Sequence, residues 1–341
     1  MLKRIVVFSL LAFTMLGGQV FASNFVIGNF QTYNPVIEDK VVELPIVVTE
    51  NPLKPIEVVS HNSKSENIQA EQESVNNAES YVNALKATKT SVPAIMYHKV
   101  TDNPAEVTPY VITGTMLAED FAEMKARGYT PITVSEYYNV QKLSQNLADS
   151  NNYKAVAEFF EKNPKPIIIT FDDGYKGIYT HALPLMQQYN FKANFYICGG
   201  LIDANNPEYC TWEEIKALAD SGLAEIGNHT YALHNRTKAD LANIYQTSFK
   251  DALNDINANK TVILEKTGVL SNVLSFPYGQ YDHITIQRLK SAGYEIFIST
   301  DYRTNMLRDE KAALGRFNRD TQYSAKEFFD LVDSMCNRLS I

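Results

Sequence analysis

Two adjacent carboxylates, Asp172 and Asp173, close the run Pro166-Ile167-Ile168-Ile169-Thr170-Phe171, and Gly174 follows them. The run is apolar and rich in β-branched residues, which is how a strand buried on both faces reads. Two acids at the end of such a strand can divide the work, one holding a cation and the other moving a proton. Asp-Gly after a strand is also ordinary turn chemistry, so the pair gains chemical meaning only from partners elsewhere. The stretch His229-Thr230-Tyr231-Ala232-Leu233-His234 offers them. With Asp173, His229 and His234 make a His-His-carboxylate set for a divalent metal, with coordination positions left for water or substrate. The plainer alternative is two unrelated loop histidines, which a chain with only six histidines and a carboxylate pair at another strand end makes a poorer account. Asp172 is then free to act as general base. Hydrolysis of an amide also needs an acid for the departing amine. His98, after the run Val92 to Tyr97, is the candidate, and a core histidine at a strand end is an equal alternative. The Pro277-Tyr278-Gly279 turn could aim the Tyr278 N–H at a developing oxyanion, or be a turn and nothing more.

These residues need elements to hold them. Short apolar strands are expected at Val92 to Tyr97, Tyr129 to Val134, Ala193 to Cys198, Leu223 to Gly227, Val273 to Phe276, Tyr294 to Ser299 and Ala312 to Phe317, besides the central run. Helical spacing separates them, as in Leu117, Phe121 and Met124, or Leu241, Ile244, Tyr245, Phe249, Leu253 and Ile256. Thr211 with Glu214, and Ser324 with Glu327, are capping boxes. Strands alternating with helices give an α/β fold with a parallel sheet. The number of units predicts a distorted (β/α) barrel, in which His98, Asp172-Asp173, His229/His234 and Tyr278 gather at the carboxyl ends of the strands.

The chain has 341 residues and a net charge of −8. The length suits one catalytic domain of about 250 residues plus extras, and the acidity argues against a nucleic-acid partner. Residues 1–22 read as a secretory signal, with Lys3 and Arg4 before the apolar stretch Ile5 to Leu16 and small residues near Ala22. Residues 23–90 read as an extended or disordered linker, with extended structure or an edge strand at most over Val36 to Ser60. Residues 91–341 form the catalytic domain. Export to periplasm, cell envelope or exterior follows, with no transmembrane segment once the signal is removed. Of the three cysteines, Cys198 and Cys210 are expected to pair across residues 199–209. Closing such a loop contributes about 3 kcal/mol.

The motifs together resemble the polysaccharide deacetylases of carbohydrate esterase family 4, the NodB-homology type. Thr170-Phe171-Asp172-Asp173-Gly174-Tyr175 matches the first motif, His229-Thr230 with His234 the second, and Phe276-Pro277-Tyr278-Gly279 part of the third. Met96-Tyr97-His98 and the five-residue spacing of the histidines resemble the poly-N-acetylglucosamine branch. The resemblance covers roughly residues 91 to 320. It implies a divalent ion, zinc first, with cobalt, nickel or iron as alternatives, and hydrolysis of the N-acetyl groups of an extracellular or envelope polysaccharide. Peptidoglycan, a chitin-like oligomer or a lipid-linked amino sugar are alternative substrates, and an inactive carbohydrate-binding module is the alternative from another class. It implies Asp172 as base, Asp173, His229 and His234 as ligands, and His98 as acid. The chain departs from the pattern at Ser275, where many members carry an arginine that orients the base. Arg316 is a candidate substitute, although a structural arginine is the slightly preferred reading. No tryptophan motif for the substrate groove is evident, and Trp212 is expected to pack rather than stack on sugar.

Overall fold

In the computed structural model, which describes residues 11–16, 19–24, 63–309 and 311–339, the central run is an eight-residue strand, Pro166–Asp173, buried along its whole length. Proline is tolerated at its first residue because no ladder donor is needed there. Eight strands make the main sheet. They are β1 (Ala94–Tyr97), β2 (Thr130–Ile132), β3 (Pro166–Asp173), β4 (Ala193–Ile197), β5 (Ala224–Asn228), β6 (Val273–Ser275), β7 (Ile296–Ile298) and β8 (Phe317–Asn318). The order is β7-β6-β5-β4-β3-β1-β8, with β2 also pairing β3. Every pairing in it is parallel. The sheet curls until its edges meet. Leu314 bridges Ile298 in parallel, while Phe317, three residues on, pairs Ile95. The α/β barrel is thus as distorted as expected, because its last strand is split between two partners.

Ten helices of seven residues or more accompany the sheet among the described residues. They are α1 (Ser63–Ala87), α2 (Gly114–Ala126), α3 (Val134–Ser144), α4 (Ser150–Lys162), α5 (Leu183–Tyr189), α6 (Trp212–Asp220), α7 (Lys238–Thr247), α8 (Phe249–Thr267), α9 (His283–Ser291) and α10 (Ala325–Leu339). The Thr211–Glu214 capping box starts α6, and Ser324 and Glu327 exchange bonds at the start of α10. The single helix read through Leu241 to Ile256 is two, broken at Ser248, whose φ of −134° is non-helical. Ile95, Ile167, Ile169, Phe171, Phe195 and Ile197 from the strands meet Leu117, Phe121 and Met124 of α2 and Phe328, Phe329 and Val332 of α10 in one core. Burying each such side chain contributes about 1.5–3 kcal/mol.

Three expectations need comment. The linker reading is corrected for Ser63–Ala87, which form α1. Polar composition suggested disorder, but the helix buries small residues, Ala84 and Ala87, in the second core cluster and sets Tyr81 edge-on to Tyr153 of α4 at 5.5 Å. Small side chains on a close-packed face carry little hydropathy signal. The expected disulfide is also corrected: none of the three cysteines is in a disulfide. Cys198 Sγ points to the His229 carbonyl at 3.3 Å and Cys210 Sγ to the Tyr175 carbonyl at 3.4 Å, so each thiol is engaged by a different strand end. Residues 1–10 of the expected signal and the Val36 to Ser60 segment lie outside the described residues. Leu11–Leu16 and Gln19–Asn24 pair antiparallel, in a unit distinct from 62–341.

Candidate metal centre and active site

Because all sheet strands run the same way, the residues after β1, β3, β5 and β6 emerge at one end of the barrel. Asp173 Oδ1 lies 3.4 Å from His229 Nε2 and 3.3 Å from His234 Nε2. One ligand atom from each of the three residues lies within 4.8 Å of the others. His229 Nδ1 faces the Ser275 carbonyl at 2.8 Å. That bond requires Nδ1 to carry the hydrogen, which leaves the Nε2 lone pair toward Asp173, the tautomer a metal ligand needs. The donor set therefore fits a divalent cation. The two histidines are tuned in opposite directions. For His229 burial lowers the pKa, but Asp172 and Asp173 outweigh it and raise it. For His234 burial, joined by His229, lowers it.

Asp172 stands apart from this set. Its two oxygens accept from Arg316 Nη1 at 2.7 Å and Nη2 at 2.8 Å, a bidentate pair. Burial alone would raise the Asp172 carboxyl. The Arg316 guanidinium outweighs burial, with His229 and His98 adding, and holds it well below the usual carboxylate range. Arg316 is itself buried, at 1% exposure. Its remaining donors go to Ser299 O at 2.9 Å, Thr170 Oγ1 at 3.1 Å and Ser275 Oγ at 3.3 Å. Arg316 reaches this place from the far end of the chain, and the small Ser275 leaves room for it. These contacts bring Arg316 onto Asp172, the residue expected to act as base.

His98 joins the same group. Burial lowers its pKa, against the pull of Asp172 and Asp173. Its Nδ1 is buried without a hydrogen-bond partner among the described residues. Tyr97, just before it, is anchored through its hydroxyl to Asp120 at 3.0 Å, and Asp120 is paired with Arg319 at 2.8 Å. Tyr278 packs its ring on His234, centroids 4.6 Å apart, and donates its hydroxyl to the His234 carbonyl at 2.8 Å. Trp212 is outside the site, its Nε1 donating to Asp203 at 2.7 Å.

Three non-glycine residues of the site have left-handed backbone: Asp173 (φ 73°), Thr230 (φ 68°) and Tyr278 (φ 54°). Such conformations cost about 1–3 kcal/mol each, and for a β-branched threonine the case is unusual. Sequence reasoning missed the residues that hold them. Asn228 Oδ1 accepts from Thr230 N at 2.7 Å and from Asn259 Nδ2 at 2.8 Å. Asn259 also bonds Ile197 O at 2.7 Å and Gly199 N at 2.8 Å. A Cβ at Gly199 would lie 2.4 Å from Asn259 Oδ1. Asp255 accepts from Tyr231 N and Ala232 N at 2.8 and 2.9 Å. The helix α8 thus clamps the loop after β5 from behind. A signal existed in Asn259, a polar residue on the apolar stripe of Ile256 and Ile263.

The segment 161–297 matches the family described as polysaccharide deacetylase. The matched segment contains Asp172, Asp173, His229, His234 and Tyr278, while His98 and Arg316 lie outside it. The poly-beta-1,6-N-acetyl-D-glucosamine N-deacetylase of Escherichia coli (strain K12) is 23% identical over 240 residues, covering 61% of this chain and 34% of the relative. The match thus spans about a third of that relative's length. The enzyme of the same name from Staphylococcus aureus (strain MSSA476) is 21% identical over 232 residues, covering 64% and 74%. A solved de-N-acetylase from Aggregatibacter actinomycetemcomitans superposes with a TM-score of 0.55 at 21% identity, over 70% of this chain and 99% of that one. The fold is shared with it. No helix among the described residues is long and apolar enough to cross a membrane.

Proposed function

We propose that this chain is an exported hydrolase that removes N-acetyl groups from N-acetylglucosamine units of an extracellular polysaccharide, a β-1,6-linked polymer first among them. The observation that carries this reading is the division of labour between neighbouring carboxylates. Asp173 faces two histidines, whereas Asp172 is held ionised by Arg316 and is free to accept a proton. Asp173, His229 and His234 would hold a divalent ion, zinc first and cobalt, nickel or iron as alternatives. That ion supplies Lewis acidity, lowering the pKa of water and polarising a carbonyl.

The protein groups complete the chemistry. Asp172 takes a proton from the water whose oxygen bonds to the acetamide carbon. The Tyr278 N–H takes the role of donor to the resulting oxyanion, supported by the packing of its turn against His234. His98 gives a proton to the nitrogen as the C–N bond breaks, releasing acetate and a free amine. The names of the Escherichia coli and Staphylococcus aureus relatives support the choice of polymer. Acetate release from a panel of poly-β-1,6-N-acetylglucosamine, peptidoglycan and chitin oligomers tests it, with and without added zinc. Metal-dependent release from the first is expected. Release from peptidoglycan or chitin alone would replace the substrate, and no release from any would return the chain to a binding role.

A further inference from the structure

Beside His98, on its solvent side, stands Tyr110, a residue that no step above uses. Its ring packs edge-on to the His98 ring, centroids 5.2 Å apart and planes at 82°. It is 58% exposed, and its hydroxyl has no hydrogen-bond partner among the described residues. The loop that carries it is held at several points. Thr108 bridges Val111 and its hydroxyl accepts from Tyr110 N at 3.2 Å. Asn318 Nδ2 donates to Pro109 O at 2.9 Å. Lys99 ties the loop to Glu106 at 2.8 Å and to Glu208, on a separate loop, at 3.2 Å. A single exposed aromatic is ordinary on a protein surface. One held on a fastened loop against a histidine of the active site is not, because the ring is already ordered and a ligand that covers it loses little further freedom.

We propose that Tyr110 is a sugar-stacking residue that seats the reacting unit, or the unit next to it, of an amino-sugar chain. This rests on the amide-hydrolysis reading above. The nitrogen that receives the His98 proton is attached directly to a ring carbon of the sugar. Whatever packs on His98 from the solvent side therefore lies within reach of that ring or its neighbour. A pyranose has an apolar C–H face, and a tyrosine ring supplies a large rigid apolar surface with a polar tip that can stay in water. The ligand class is thus an oligomer of N-acetylated pyranoses lying across the barrel end, rather than a small amide.

The test is calorimetric binding of a β-1,6-linked N-acetylglucosamine pentamer to the zinc-loaded Asp172→Asn chain, with Tyr110 intact, Tyr110→Phe or Tyr110→Ala. Tyr110→Ala is expected to weaken binding about tenfold, the scale of one lost aromatic contact, and Tyr110→Phe by less than twofold. In the otherwise native enzyme Tyr110→Ala should raise KM for the pentamer far more than it lowers kcat, with a smaller loss on a small acetate ester. A fall in kcat on the pentamer with KM unchanged would make Tyr110 a support for His98 and overturn the proposal. So would unchanged pentamer binding, or no binding by the chain with Tyr110 intact. Acetate release by the native enzyme is read separately, so the proposal can fail while the deacetylase reading stands, or the reverse.

Discussion

Asp172 and Asp173 are neighbours in sequence with the same side chain, yet their surroundings assign them different work. Asp173 has two imidazoles within hydrogen-bonding reach and Asp172 a guanidinium fork. Replacing Arg316 by lysine removes the fork, since an ammonium cannot bind both oxygens in plane. The Arg316→Lys enzyme should keep its metal, measured by elemental analysis, and lose turnover by about tenfold or more. It should also melt lower, because an ammonium in place of the fork leaves the buried acceptors at Asp172, Ser299 and Thr170 short of donors. Loss of metal with unchanged melting would place Arg316 in the ligand shell instead. His98→Ala should keep its metal and lose about 10²–10⁴ in kcat on the acetamide. Activated aryl acetates, whose leaving group needs no proton, should suffer much less. Equal losses on both substrates would make His98 a structural residue.

Among the elements, α10 is fastened to the barrel by charges as well as by Phe328, Phe329 and Val332. Asp333 accepts from Arg127 and from Tyr129 at 2.7 Å and pairs with Lys165 at 2.9 Å. Burial raises its pKa, but the bonds from Lys165, Tyr129 and Arg127 outweigh it and hold it below the ordinary value. A depressed carboxylate contributes stability that is complete above its unfolded pKa of about 3.9 and is lost as pH falls through the folded value. Asp333→Asn should therefore lower the melting temperature at pH 6, and the gap from the native protein should close below about pH 4. A gap constant with pH would mean that packing, not charge, is what the substitution removes. The N-terminal helix makes a second case. A chain beginning at Asn62 retains α1, whereas one beginning at Lys89 loses the burial of Ala84 and Ala87 and the Tyr81–Tyr153 contact. The shorter chain should be less stable by about 2 kcal/mol or more, read from urea midpoints. Equal midpoints would return α1 to the status of a linker.

At the scale of the whole molecule, the metal set joins β3 to the loop after β5, and α8 clamps that loop through Asn259 and Asp255. A cation bound there favours the folded state by mass action, by about 2.7 kcal/mol when free metal is one hundred times its Kd. A chelator should lower the melting temperature of the native protein and restored zinc should raise it. His229→Ala and His234→Ala should bind no metal and show no chelator effect. Full occupancy in either variant would exclude this set.

Strand ends, helix caps and the motifs on β3 and after β5 were legible in the sequence because each depends on residues a few positions apart. A buried β-branched run announces a strand, and Thr211 with Glu214 announces a helix start. That is why Asp172, Asp173, His229, His234, His98 and Tyr278 stand out as candidates in the sequence alone. The partners of those residues were not legible. Arg316 reaches Asp172 across 144 positions, Asn259 reaches Asn228 across 31, and α1 sets Tyr81 against Tyr153 and buries Ala84 and Ala87, alanines too small to leave a pattern. Only the closing of the barrel, with Leu314 against Ile298 and Phe317 against Ile95, carries Arg316 under Asp172. Local chemistry is written in local spacing, whereas a residue's charge partner is set by chain crossings that no short window contains.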